Sequence, residues 1–92
     1  MSFEWDESKR LSTLQKHGLD FIDVVDIFEG PVLTVPSKQN DENRWLAIGI
    51  SKGLELAVIY TIRNESYRII TARRARRNER KEYYQNYPER SP

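Results

Sequence analysis

Ninety-two residues, 38% hydrophobic and 32% charged, are enough for one globular domain with a small core. The chain has no cysteine, which excludes disulfides, thiolate catalysis and a cysteine-bound metal, and with one histidine a zinc site is not expected. The net charge of +1 hides a polarised chain: residues 1–30 carry seven acids against three bases (−4), and residues 63–81 carry eight bases against two acids (+6). No run approaches transmembrane length. Residues 2–7 lack the basic start and apolar core of a signal peptide, so a cytoplasmic protein is expected.

Phe3-Glu4-Trp5 alternates apolar and polar, as an edge strand does. Asp6 is a good N-cap for a helix running to His17, with Leu11 and Leu14 as a narrow apolar stripe. Gly18 is placed to end it, and Lys16 and His17 suit the negative end of its dipole. Asp20 then caps a second helix, with Leu19 and Val24 at hydrophobic-staple spacing and Phe21, Val24, Val25 and Phe28 as its buried face. Gly30-Pro31 stops it. Residues 32–35 read as a short strand closed by Pro36, and the polar residues 37–43 as a loop tip. Residues 44–51 form a strand with Leu46, Ile48 and Ile50 on one face and Trp45 and Ala47 on the other. Lys52-Gly53 turns the chain into the longest strand, residues 54–63. Its faces are Leu56, Val58, Tyr60 and Ile62 against Glu55, Ala57, Ile59, Thr61 and Arg63. After a turn at Asn64-Glu65 a last strand spans residues 66–71. A basic helix follows from Ala72–Arg73 to about Tyr84, capped near Thr71. The tail, residues 85–92, holds two prolines and few anchors and is expected to fray. The order implies a single α+β domain over residues 1–84. Its helices pack on one side of an antiparallel meander.

The stretch 63–81 meets a polyanion with several guanidinium forks at once, and planar bidentate donors match phosphate geometry. RNA is the first candidate ligand. The plainer alternative is a solvated helix face whose arginines pair with acids elsewhere in the chain.

Phe3-Glu-Trp5-Asp6-Glu7, Lys16-His17-Gly18, Val58-Ile-Tyr60-Thr61, Arg68-Ile-Ile-Thr-Ala-Arg73 and Glu79-Arg80 occur together, in an order and spacing that resemble the BrnT family. Members are the toxin halves of type II toxin–antitoxin modules. Thr71 stands where a serine is more usual, and nothing after Tyr84 matches. The resemblance implies a RelE-like ribonuclease fold and endoribonuclease cleavage of RNA without a metal or other cofactor. It also implies arrest of translation and growth, and neutralisation by a BrnA-like antitoxin. That antitoxin would carry a ribbon-helix-helix domain, so operator DNA is met only through it, and no membrane is involved.

Metal-free cleavage requires that the 2′-hydroxyl lose a proton, the phosphorane charge be stabilised and the 5′-oxygen gain a proton. One histidine rules out a two-histidine mechanism within one subunit. The catalytic candidates are Lys16, His17, Tyr60, Arg63, Arg68 and Arg73; the RNA-binding candidates are Trp5, Arg74, Arg76, Arg77, Arg80 and Lys81. Several have plainer readings. Tyr60 and Trp5 suit the core, and Lys16 and His17 a helix cap; Glu55, outside that set, reads as an exposed edge acid in preference to a base. In a regular strand Arg68 and Arg73 lie on opposite faces, so both reach one phosphate only if the chain turns at Thr71–Ala72. Arg73 is expected to act through charge rather than packing. An antitoxin segment is expected over the 63–81 edge, repelled by the acidic first thirty residues and competing with RNA. A non-catalytic nucleic-acid-binding module is the alternative function, and a protein-docking basic helix is a weaker third.

Overall fold

The computed structural model describes residues 2–37 and 43–92. The elements are β1 (Ser2–Trp5), α1 (Glu7–His17), α2 (Phe21–Val24) with a 3-10 continuation (Val25–Glu29), β2 (Leu33–Pro36), β3 (Arg44–Ser51), β4 (Leu54–Arg63), β5 (Ser66–Arg74) and α3 (Arg77–Asn86). A final 3-10 turn covers Pro88–Arg90. The five strands form one sheet in the order β1-β5-β4-β3-β2. β2, β3, β4 and β5 are an antiparallel meander, as expected, but β1 runs parallel to β5. The sheet is therefore mixed. The loop tip read over residues 37–43 falls, at 38–42, outside the described residues.

Both hairpin turns use positive φ at two central residues: Lys52 (51°) with Gly53 (78°), and Asn64 (51°) with Glu65 (65°). Paired left-handed residues match the right-handed twist of the flanking strands. Asp6 caps α1 by accepting from Ser8 N–H, and left-handed Gly18 closes it with its N–H on the Leu14 carbonyl (2.9 Å). Asp20 caps α2 in the same way through Ile22 N–H. After one α turn the second helix tightens to 3-10 geometry. Its fully buried residues are then Phe21, Val24 and Ile27, three apart, as a three-residue repeat requires. Ile27 presses so close to β3 that a Cβ on Gly49 would stand 2.9 Å from its own Cβ.

Those residues and Leu19 pack on Ala47, Leu56, Val58, Tyr60, Ile69 and Ala72 to form the main core. Contrary to the expectation that all helices share one side, α3 lies across the other face of the sheet. Tyr83 there joins Ile48 and Ala75, with Leu46, Ile50, Tyr84 and Tyr87 around them. The segment expected to fray starts inside α3, and Tyr87 within it is tied down, its Oη donating to Val32 O at 2.9 Å; just before the segment Tyr83 Oη donates to Pro31 O at 2.9 Å.

Candidate functional site

The basic stretch folds differently from its expected strand–helix boundary. β5 continues to Arg74, and α3 begins only at Arg77, so Arg73 and Arg74 are strand residues. Ala72 explains why: it is fully buried opposite Val58, and sheet pairing there overrides the helix propensity of Ala-Arg-Arg-Ala-Arg-Arg. The ladder between β4 and β5 also slips. Ile59 faces Thr71 while the next residue, Tyr60, faces Ile69, which leaves Ile70 as a bulge. One extra residue reverses the parity of the strand. Arg68, Thr71 and Arg73 therefore share one face, opposite Thr61, Ile59 and Ala57. The chain turn expected at Thr71–Ala72 is not needed, because the bulge at Ile70 does its work. Arg44, across from Thr61, and Arg63, across from Ser66, belong to the same face.

Much of this face is internally paired. Arg68 reaches Glu4 of β1 at 2.7 Å. Arg73 grips Glu79 of α3 with two bonds of 2.9 Å, and Glu79 also accepts from Arg76 N–H at 2.7 Å. The Arg73 guanidinium is the main reason the Glu79 carboxyl is held below the ordinary glutamate range, against the opposing effect of burial. Arg80 donates to Ala75 O (2.7 Å) and stands 3.8 Å from Glu55, whose carboxylate accepts from Tyr84 Oη. That hydrogen bond pushes the Tyr84 phenol up to about 12. Glu4 and Glu55 thus bring two carboxylates to a stretch that counts +6 along the chain, leaving +4. Arg63, Arg74, Arg76, Arg77 and Lys81 are exposed and form no ion pair among the described residues. Arg74 pairs in register with Leu56 and so lies on the face opposite Arg73.

A second cationic region lies at the sheet edge. β1 ends at Trp5, level with Ile69, so from the bulge onward β5 has no strand neighbour on the edge away from β4. α1 packs there instead. Between them is a pocket of about 130 Å³ lined by Lys9, Ser12, Thr13, Lys16 and His17 of the helix and by Ile70 and Thr71 of the bulge. It has three basic side chains, three hydroxyls and no carboxylate. Arg10 fixes the helix by donating twice to Asp20 (2.8 and 3.0 Å). The structure thus brings two expected residues, Lys16 and His17, beside Thr71, the same-face neighbour of Arg68 and Arg73.

Tyr60 lies in the main core and Trp5 packs against it. Tyr60 is buried on the main-core face, stacked on Tyr67 at 5.0 Å, and burial raises its pKa. Trp5 packs edge-on to Phe21 at 6.0 Å. Neither side chain belongs to the arginine face. Arg73 is also more than a free charge, because its pairing with nearly buried Glu79 ties α3 to the sheet. Sequence reasoning missed the rest of the pocket. Its trace was present: Lys9, Ser12, Thr13 and Lys16 fall at i, i+3, i+4 and i+7, one face of a helix. Nothing in the sequence pairs Tyr84 with Glu55. Among the described residues no three His, Asp or Glu side chains are grouped to hold a metal.

Residues 5–79 match the family described as the ribonuclease toxin, BrnT, of type II toxin–antitoxin systems. Among solved structures, the crystal structure of the Brucella abortus ribonuclease toxin, BrnT, is similar at 35% identity and a TM-score of 0.68. The likeness covers 84% of this chain and 99% of that one. A comparison with curated protein sequences gives no match.

Proposed function

The chain belongs to the BrnT family of ribonuclease toxins of type II toxin–antitoxin systems, and we propose that it is a RelE-like, metal-independent endoribonuclease that arrests translation and growth. The observation that carries this reading is the carboxylate-free pocket beside Thr71, continuous through the bulge with the face that bears Arg68 and Arg73. A phosphodiester lying from the pocket onto that face meets donors from two elements at once.

In this reading the RNA 2′-hydroxyl attacks the adjacent phosphorus and the bond to the 5′-oxygen breaks, leaving a 2′,3′-cyclic phosphate and a 5′-hydroxyl. Lys16 and His17 handle the two protons, one accepting from the 2′-oxygen and the other donating to the leaving oxygen. Thr71 and Arg68 receive the non-bridging oxygens, where charge builds up in the phosphorane. Arg73, held by Glu79, adds a fixed positive field. Arg63, Arg74, Arg76, Arg77 and Lys81 track the strand away from the cut. The partner is a BrnA-like antitoxin with a ribbon-helix-helix domain, through which alone operator DNA is engaged.

Expressed alone, the chain should halt growth and fragment RNA. The purified protein should do the same in EDTA and leave cyclic-phosphate ends. A non-catalytic binder would protect RNA, lose affinity steeply with salt and release no such ends. Unaffected growth with intact RNA would overturn the enzymatic reading.

A further inference from the structure

The sheet face that carries α3 is covered over only part of its width. Along β4 this face presents Glu55, Ala57, Ile59, Thr61 and Arg63 in turn. The first two are taken up: Tyr84 of α3 donates to Glu55, and Ala57, opposite Ile48, is buried. Ile59 and Thr61 are only half-buried and Arg63 is exposed. An isoleucine in the middle of a central strand ordinarily lies under a helix, yet Ile59 belongs to neither core cluster.

The strand register lays two rows across this open half. One is apolar: Val35 of β2, Leu46 of β3 and Ile59 of β4 stand opposite one another, and Ile59 stands opposite Thr71 of β5. All four are half-buried, and the row ends at the pocket that Thr71 lines. Beyond the pocket α1 turns Leu11 and Leu14 to solvent (53% and 37% exposed) and lays Thr13 (6%) on the sheet edge, so it shows the pocket hydroxyls and lysines rather than leucine. The second row is polar: Arg44 of β3, Thr61 of β4, Arg68 of β5 and Glu4 of β1. Arg44 forms no ion pair among the described residues. Arg68 spends one nitrogen, Nη1, on Glu4, which leaves the rest of its fork for a ligand. Two strand steps put the backbones of Arg44 and Arg68 about 10 Å apart, close enough for two long side chains to hold neighbouring phosphates.

We propose that these rows are the track for one arm of the RNA. From the scissile phosphate at Thr71 and Arg68 the chain crosses the sheet toward β2. Arg44 holds a phosphate beyond the cut, and Ile59, Leu46 and Val35 take the faces of the bases. A cationic row beside an apolar one matches single-stranded RNA, which offers a phosphate next to each open base face. A duplex turns its base faces inward and would leave the apolar row uncovered. Arg44 is thereby an RNA-binding residue far in sequence from the 63–81 stretch. The assignment rests on cleavage at the pocket.

The test is fluorescence anisotropy of the full chain with a labelled single-stranded 2′-fluoro RNA of about ten nucleotides, which lacks the attacking hydroxyl. Arg44→Ala should weaken binding about tenfold and reduce the slope of log affinity against log salt by about one. Arg44→Lys should recover most of the loss, and Arg44→Gln repeats it should alanine loosen β3. Shortening the oligonucleotide from one end should bring parent and Arg44→Ala together, and shortening it from the other should not. With cleavable RNA, KM should rise and kcat hold. A folded Arg44→Ala within about threefold of the parent would overturn the proposal. So would a loss of the same size on every shortened RNA, or a fall in kcat at unchanged KM, which would put Arg44 at the reacting phosphate. Weakened antitoxin binding with RNA affinity unchanged would assign the rows to the antitoxin instead. If the parent binds the analogue as expected but cuts no RNA, the enzymatic reading falls and the track stands; if it binds no RNA, both fall.

Discussion

Two cationic regions of this molecule differ in sequence and in the acids that surround them. Residues 63–81 hold eight bases within nineteen positions. The α1 pocket takes its three bases from a helix that sits in the net-negative third of the chain. In the fold the dense region is partly spent. Arg68, Arg73 and Arg80 are claimed by Glu4, Glu79 and Glu55, whereas no carboxylate lines the sparse region. Charge density along a chain thus overstates the charge left to an anion: three of the eight bases are spent, while Arg63, Arg74, Arg76, Arg77 and Lys81 form no ion pair among the described residues. What decides is which acids the topology brings alongside.

The contrast makes unequal demands on mutation. The largest effect should come from the sparse region. Replacing Lys16 and His17 together by alanine removes both proton-transfer groups and should lower the single-turnover cleavage rate by about 10²–10⁴-fold. The melting curve should barely move, because both side chains are exposed. An active double variant would shift the chemistry to the arginine face.

The legibility of the sequence divides along the same line. β3, β4 and both hairpin turns follow from alternation and turn residues, because each is set by local pattern and near neighbours. So are the caps Asp6, Gly18 and Asp20. The bulge at Ile70 is not local: it exists only in the register of β5 against β4, and it alone puts Arg68 and Arg73 on one face. The facing of α1 is not local either, for a related reason. Leucines three apart normally mark the buried side, but this helix packs on a strand edge left open because β1 stops at Trp5. The start of α3 was placed five residues early, because Ala72 and its neighbours have helix propensity yet are held in the ladder by β4.

A smaller effect is expected in the dense region, and on stability rather than chemistry. Glu79→Gln leaves Arg73 without its charged partner and weakens the α3 attachment, costing about 1–3 kcal/mol in urea unfolding at neutral pH. The sign with pH follows from the depressed carboxyl of Glu79. Its contribution is complete above the unfolded glutamate value of about 4.3 and is lost as pH falls through the lower folded value. Parent and variant should therefore converge in stability on acidification below about pH 4. A gap that stayed constant down to pH 2 would show that the pair contributes through packing alone.

The claim that matters most is that RNA enters at the unopposed pocket. Titrating the ¹⁵N-labelled protein with a short RNA carrying one 2′-deoxy linkage, which cannot be cut there, locates the ligand directly. The account predicts that the amides of Ser12, Thr13, Lys16, His17, Ile70 and Thr71 shift together and saturate at one ligand concentration, with smaller shifts toward Arg76 and Arg77. Shifts confined to residues 74–81, with the α1 amides unmoved, would contradict it.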